Sequence, residues 1–257
     1  MPTLSIAIQK GGSGKTTTAI SLAAAWQHLG HSVLLLDLDP QANCTQAFGL
    51  HDDLEQSIYT LLRAEAAGQP IPLDEVLVSL RELAFIPSSL DLASAEMELV
   101  GVYGREKLLQ AILEPLRSVY DFIIIDCPPS MGLLTVNALA ASDYVLMPLQ
   151  AEFLPLRGVQ SFLKHFDQMK KKINPSLDLL GFVLTQYDSR KNMTRKTIET
   201  LVTSYPNKLL QTRIRRNIAL AEAQQLGVDV FTYDKNSKGA VDYLALAKEI
   251  LERLKKS

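Results

Sequence analysis

Apolar residues in this chain fall into two patterns: short unbroken runs, and stretches where they recur every three or four positions. The unbroken runs predict buried strands at Thr3–Ile8 (TLSIAI), Ser32–Leu36 (SVLLL), Leu83–Ile86, Phe122–Ile125 (FIII), Tyr144–Met147 and Leu179–Leu184, with a shorter one at Lys208–Thr212. The spaced pattern predicts helices over Thr16–Leu29, closed by Gly30, and over Leu92–Leu116, broken near Gly101–Gly104. Further helices are expected at Leu133–Ala141, Leu156–Lys172, Met193–Ser204, Ile218–Leu226 and Gly239–Lys256. Residues 50–80, punctuated by Pro70 and Pro72, predict short helices and loops. Strands that are apolar throughout need both faces covered. The expectation is an α/β fold, a mainly parallel twisted sheet with helices on both faces. No repeat, low-complexity tract or long linker divides the chain, so residues 1–257 are expected to form one domain.

Composition narrows the setting. No apolar run approaches the ~18–20 residues of a membrane span, and the first residues, Met1-Pro2-Thr3-Leu4-Ser5, lack a basic segment or cleavage site. Cys44 and Cys127 are far apart and lack metal-ligand spacing, so a reduced, cytoplasmic protein is expected. The net charge of −2 conceals a split. Residues 1–150 carry 7 Lys/Arg against 17 Asp/Glu, whereas residues 151–257 carry 19 against 11. The two halves should therefore present different surfaces to partners.

The candidate chemistry begins between the first strand and first helix. Lys10-Gly11-Gly12-Ser13-Gly14-Lys15-Thr16-Thr17 stands where a phosphate cradle belongs. Glycines let consecutive N–H groups turn toward phosphate oxygens, and the helix start adds its positive dipole end. Lys15 is the candidate for the β/γ-phosphates and the Thr16 hydroxyl for Mg²⁺. Gln9 occupies the place of the first glycine in the ordinary phosphate-loop pattern, so that pattern is not met. Two acidic strand ends follow: LLLDLDPQAN carries Asp37 and Asp39, and DFIIIDCPPS carries Asp126. A carboxylate at the end of a buried strand is costly without a cation or donors, which marks Asp126 as a metal candidate. Asp37 and Asp39 have a competing use, capping the next helix.

The string K-G-G-x-G-K-T-T resembles the deviant Walker A motif of the ParA/MinD superfamily, and D-x-D-P-Q resembles that family's switch segment. The resemblance continues through MPLQAEFLPLRG (147–158), LTQYDSR (184–190), TRIRRNIALAEA (212–223) and KNSKGAVDYLALAKEIL (235–251), almost end to end. It points to the small ParA/Soj subgroup. It implies an ATPase using ATP and Mg²⁺, an ATP-dependent homodimer, non-specific DNA binding, a ParB-like or other cargo-adaptor partner and no membrane. By the same match Lys10 reaches the partner subunit's phosphates in trans, in the manner of an arginine finger. Asp39 orients the attacking water and touches the metal shell, with Asp37 further out. Glu152 faces the dimer, and Gln186, Arg216 and Asn217 lie near the adenine.

Between Asp188 and Arg216 stand Arg190, Lys191, Arg195, Lys196, Lys208, Arg213, Arg215 and Arg216, opposed within that stretch by Asp188 and Glu199. The resemblance makes Arg190, Lys191, Arg195, Lys196, Arg213, Arg215 and Arg216 candidate phosphate-backbone contacts, sequence-independent because no base-reading motif accompanies them. A solvated face with no partner is the alternative. The chain departs from the family's P-R-N-V-R here, with Arg215 in place of the proline and Ala219 in place of the second arginine. Two other readings remain. A MinD-like membrane switch needs an amphipathic helix beyond the fold, yet Val241, Leu244, Ala247, Leu251 and Leu254 have core-packing spacing. An iron–sulfur reductase needs a second cysteine near residues 97–104 (MELVGVYG), which has none.

Overall fold

Phe122–Asp126, the most apolar run, forms a strand buried along its whole length. Phe122 and Ile124 enter one core while Ile123 and Ile125 enter the other, as the two-residue period of a strand requires. The computed structural model describes residues 2–50, 54–151 and 156–255, with side chains at all of these except 156, 157, 192 and 193.

In chain order the elements begin with β1 (Thr3–Ile6), α1 (Lys15–His28), β2 (Val33–Asp37), α2 (Asn43–Ala47) and α3 (Ile58–Ala66). There follow β3 (Val78–Leu80), β4 (Leu83–Ile86), α4 (Leu92–Glu98), α5 (Leu108–Leu113), β5 (Phe122–Asp126) and α6 (Leu133–Ala141). The last part holds β6 (Tyr144–Gln150), α7 (Leu156–Lys172), β7 (Asp178–Tyr187), α8 (Asn192–Ser204) and β8 (Leu209–Arg215). Three helices close it: α9 (Ala219–Gln225), α10 (Val230–Asp234) and α11 (Lys238–Leu254). Among the described residues, eight strands form one sheet in the order β3-β4-β2-β5-β1-β6-β7-β8. All pairings are parallel except β3 with β4. The α/β expectation holds.

One face of the sheet is covered by α1 and α11, the other by α5, α6 and α7. Trp26 of α1 is fully buried, stacks on Phe122 with centroids 4.1 Å apart and donates its indole N–H to the Ala247 carbonyl at 3.2 Å. Truncating it to alanine should cost about 3–5 kcal/mol. That contact fixes α1, and with it the loop that precedes α1.

Four departures from the sequence reading bear on the arguments below. First, β3 forms within the stretch read as helices and loops; it has only three residues, and its turn onto β4 places Arg81 at φ 59°. Second, α10 is an unexpected short helix, capped by the Asp229 side chain on the N–H groups of Phe231 and Thr232. Third, β8 runs to Arg215, past its expected end. Fourth, α11 is buried over a wider face than expected: Ala240, Tyr243, Leu246 and Ile250 join the expected Ala247, with Leu251 and Leu254 packed against the core, whereas Val241 is 50% exposed. Two α11 carboxylates on this wider face turn toward the free edge of β8. Glu249 accepts from the N–H groups of Gln211 and Thr212 at 2.7 and 2.8 Å, and Asp242 accepts from that of Arg215 at 2.9 Å.

Candidate functional site

β1 lies between β5 and β6 at the centre of the sheet, so the loop after it opens at the strands' carboxyl ends, where α/β sheets bind ligands. Gly12 and Gly14 adopt φ of 69° and 88°, the left-handed region that glycine enters without strain. Gly14 is the N-cap of α1 and offers no side-chain cap. The first-turn N–H groups are thus directed to the loop, the arrangement that receives anions.

Neighbouring strands hold this loop from the side. The Thr185 hydroxyl, at the end of β7, donates to the Ser13 carbonyl at 2.9 Å. The Gln150 amide, at the end of β6, donates to the Gly12 carbonyl and accepts from Lys10 Nζ at 3.4 Å. Lys15 is buried, with its ammonium donating to the Lys10 carbonyl at 3.2 Å. A buried ammonium with one carbonyl partner keeps two N–H directions for anionic oxygens.

The acidic residues divide into two roles. Asp37 is fully buried and satisfied: Oδ2 accepts from the Thr45 N–H and hydroxyl at 2.9 and 2.8 Å, and Oδ1 from the Asp39 N–H at 3.1 Å. Burial still raises its pKa against those bonds. Asp39 accepts from the Gln41 N–H at 3.0 Å, and the Ser88 hydroxyl holds its carbonyl at 2.8 Å. Burial raises the Asp39 pKa, and the nearby Lys15 charge partly offsets it. Asp126 is different. Neither of its buried oxygens finds a hydrogen-bond partner among the described residues. Burial pushes its pKa well up, Asp37 adds to the rise, and the Thr16 hydroxyl and Lys15 ammonium act against it.

An orphaned buried carboxylate beside a threonine hydroxyl and a lysine is the donor set of a hard cation shared with phosphate. No cluster of three or more His, Cys, Asp or Glu converges among the described residues. Thr16 and Asp126 therefore fit Mg²⁺, which keeps waters and phosphate oxygens in its shell, better than a metal needing a full protein cage.

A cavity of about 220 Å³ adjoins the loop, lined by Thr17, Gln186, Arg216, Asn217, Leu220, Gln224 and Tyr243 among others. The expected Gln186, Arg216 and Asn217 thus meet at one wall. Gln186 holds φ 51°, unusual outside glycine and often a mark of functional sites. A larger cavity of about 580 Å³ lies at the other end of α1, near His28, Arg81 and Phe231, and shares no residue with the phosphate loop. Glu152 lies outside the described residues. Sequence reasoning missed Gln150, Thr185, Ser88, Thr45 and Tyr243; a polar residue closing an apolar strand was the available signal for the first two.

The basic stretch is more self-engaged than its count implied. Arg215 forks onto Asp242, with contacts from Nε and Nη2 between 2.7 and 3.1 Å. Arg190 forks onto Asp188 at 2.9 and 2.8 Å, and Lys208 reaches Asp178 at 3.2 Å. Arg213 is partly buried and donates to the Leu210 and Thr212 carbonyls; burial lowers its pKa. Opposition therefore comes from Asp178 and Asp242, outside the stretch, as well as from within it.

Fold and site together define a P-loop nucleoside triphosphatase of the deviant-Walker kind. Residues 1–179 match a family model described as an AAA domain. The chain is 42% identical over 248 residues to the sporulation initiation inhibitor protein Soj of Bacillus subtilis, covering 96% of this chain and 97% of that one. It is 42% identical over 251 residues to the chromosome partitioning protein ParA of Myxococcus xanthus, covering 96% and 87%. Among solved structures, a Mycobacterium smegmatis protein named cobyrinic acid a,c-diamide synthase, bound to an ATP analogue and magnesium, superposes with a TM-score of 0.86. It is 36% identical, with 99% of this chain and 96% of that one covered. The chain belongs to the ParA/Soj family of partition P-loop ATPases.

Proposed function

We propose that this protein is a Mg²⁺-dependent ATPase that dimerises when ATP is bound, coats DNA without sequence preference and positions a chromosome, plasmid or protein cargo. The observation that carries the reading is Asp126, whose two buried oxygens lack partners beside Thr16 and Lys15. When bound, Mg²⁺ there would draw charge from the transferring phosphoryl group. The chain's own residues do the rest. The Gly11–Thr17 amides and Lys15 bind phosphate, Asp39 orients water, and Lys10 acts across the dimer. Hydrolysis, stimulated by a ParB-like or other cargo-adaptor protein, would then release the dimer from DNA. Residues 1–257 act as one domain in this reading, cytoplasmic and gathered on the nucleoid while ATP is bound.

The names of the curated relatives support partition over the synthase named for the solved neighbour, because identity to them is higher at similar coverage. The membrane alternative gains no support: among the described residues no helix is long and apolar enough to cross a bilayer, and α11 buries its apolar face on α1 and the sheet.

The deciding experiment measures light scattering and turnover with ATP for three proteins. Wild type should dimerise, and Asp39→Ala should accumulate as a dimer with little turnover. Lys10→Ala should bind ATP yet remain monomeric. An ordinary ATP-dependent dimer in Lys10→Ala would overturn the trans role, and wild-type turnover in Asp39→Ala would leave that residue as a turn former.

A further inference from the structure

Arg215, Arg216 and Asn217 leave β8 and form one wall of the 220 Å³ cavity beside the phosphate loop. Within the segment, the Asn217 side chain accepts from the Ala219 N–H at 2.9 Å. In the family's pattern a proline stands at 215, and here the residue is an arginine. A second restraint comes from α11. Asp242, only 7% exposed, accepts from the Arg215 backbone N–H at 2.9 Å and takes its guanidinium on both oxygens. Bidentate arginine–carboxylate pairs fix orientation as well as distance. The next residue, Tyr243, lines the same cavity and shares a 3.1 Å hydrogen bond between its buried hydroxyl and that of Thr18. Thr18 is one residue beyond Thr17, on the opposite wall. Two adjacent residues of α11 thus hold both sides of the cavity, one through β8 and one through α1.

We propose that Asp242 is a positioning residue for the nucleotide's base: it sets the Arg215–Asn217 wall, and Arg215 serves as its internal counter-ion and not as a DNA contact. This rests on the reading that the cavity receives the base of a nucleotide whose phosphates lie on the loop. The inference separates base binding from phosphate binding, since Asp242 touches neither the loop nor the metal candidates.

The test compares affinities for Mg·ATP and for Mg·tripolyphosphate, which carries the phosphates without a base, by calorimetry. Wild type should bind ATP much more tightly than tripolyphosphate. In Asp242→Asn, and again in Arg215→Lys, ATP affinity should fall by roughly tenfold, the scale of a lost charged hydrogen bond, with tripolyphosphate affinity unchanged. Glu249→Gln, which disturbs the same helix and strand two turns away, should lower the melting temperature but leave the ATP-to-tripolyphosphate ratio intact. Equal losses for both ligands in Asp242→Asn and Arg215→Lys would make the pair mere scaffold and overturn the proposal. A high wild-type ratio that survives both substitutions would overturn it while sparing the base-pocket reading. A wild-type ratio near one would sink both.

Discussion

The centre of the sheet and its β8 edge handle charge in opposite ways. At the centre, Lys15 and Asp126 are buried with little or nothing of the chain's own to bond. Such groups are expensive to fold unless something from outside completes them. At the edge, Arg215, Lys208 and Arg213 lie in a stretch that reads as a bare cationic run, yet each is engaged by carboxylates or carbonyls of this chain. Availability for a ligand is thus set by the partners a charge already has, and a residue count does not measure it.

The sharpest way to break this comparison is Lys15→Ala. If the central lysine awaits phosphate, ATP affinity should fall by roughly a hundredfold, two charged hydrogen bonds' worth. Unchanged affinity in a calorimetric titration would remove the contrast at its root. Asp126→Asn comes next, and it makes two demands. Mg²⁺ should no longer tighten nucleotide binding. The nucleotide-free protein should also keep its stability, because neither Asp126 oxygen has a partner within the described fold to lose. A loss of stability in urea unfolding would mean that Asp126 is satisfied within the fold.

The edge makes smaller predictions. Arg195→Glu with Lys196→Glu should flatten the log–log salt dependence of binding to random-sequence duplex by roughly 2, whereas Arg215→Ala should leave it unchanged. Equal flattening by both in a filter-binding series would restore Arg215 to the DNA face. Smallest is an acid effect at Glu249. Burial raises its pKa, but the Gln211 and Thr212 N–H groups and Arg253 outweigh that and leave it below the ordinary glutamate value. A depressed carboxylate contributes stability above its unfolded pKa and loses it as pH falls through the folded one. Wild type should therefore lose more stability than Glu249→Gln between roughly pH 5 and pH 3. Parallel melting curves for the two would refute that role.

Most of the sheet could be read in the sequence because each strand is an apolar run whose period needs no partner to be visible. The phosphate loop could be read for the same reason, since its chemistry is local. What could not be read depends on contacts far apart in the chain. Arg215 and Asp242 are 27 residues apart, and no spacing rule joins them. The α11 face could be read in part: Ala247, Leu251 and Leu254 meet the core as their spacing predicts, whereas the contacts of Asp242 and Glu249 with β8 could not be foreseen. β3 escaped because three residues, none of them buried, carry too little pattern to register.

The capped rim of β8 also bears on how copies of this protein come together. A sheet whose last strand shows unspent N–H groups can be extended by a strand from another copy, without regard to any nucleotide. Glu249 and Asp242 occupy three such groups, and the far rim closes with a three-residue antiparallel strand. A protein gathered on DNA, as proposed, would then be shielded from fibre-like growth. If the protein dimerises as proposed, its self-association is left to a face that a small molecule can switch on and off.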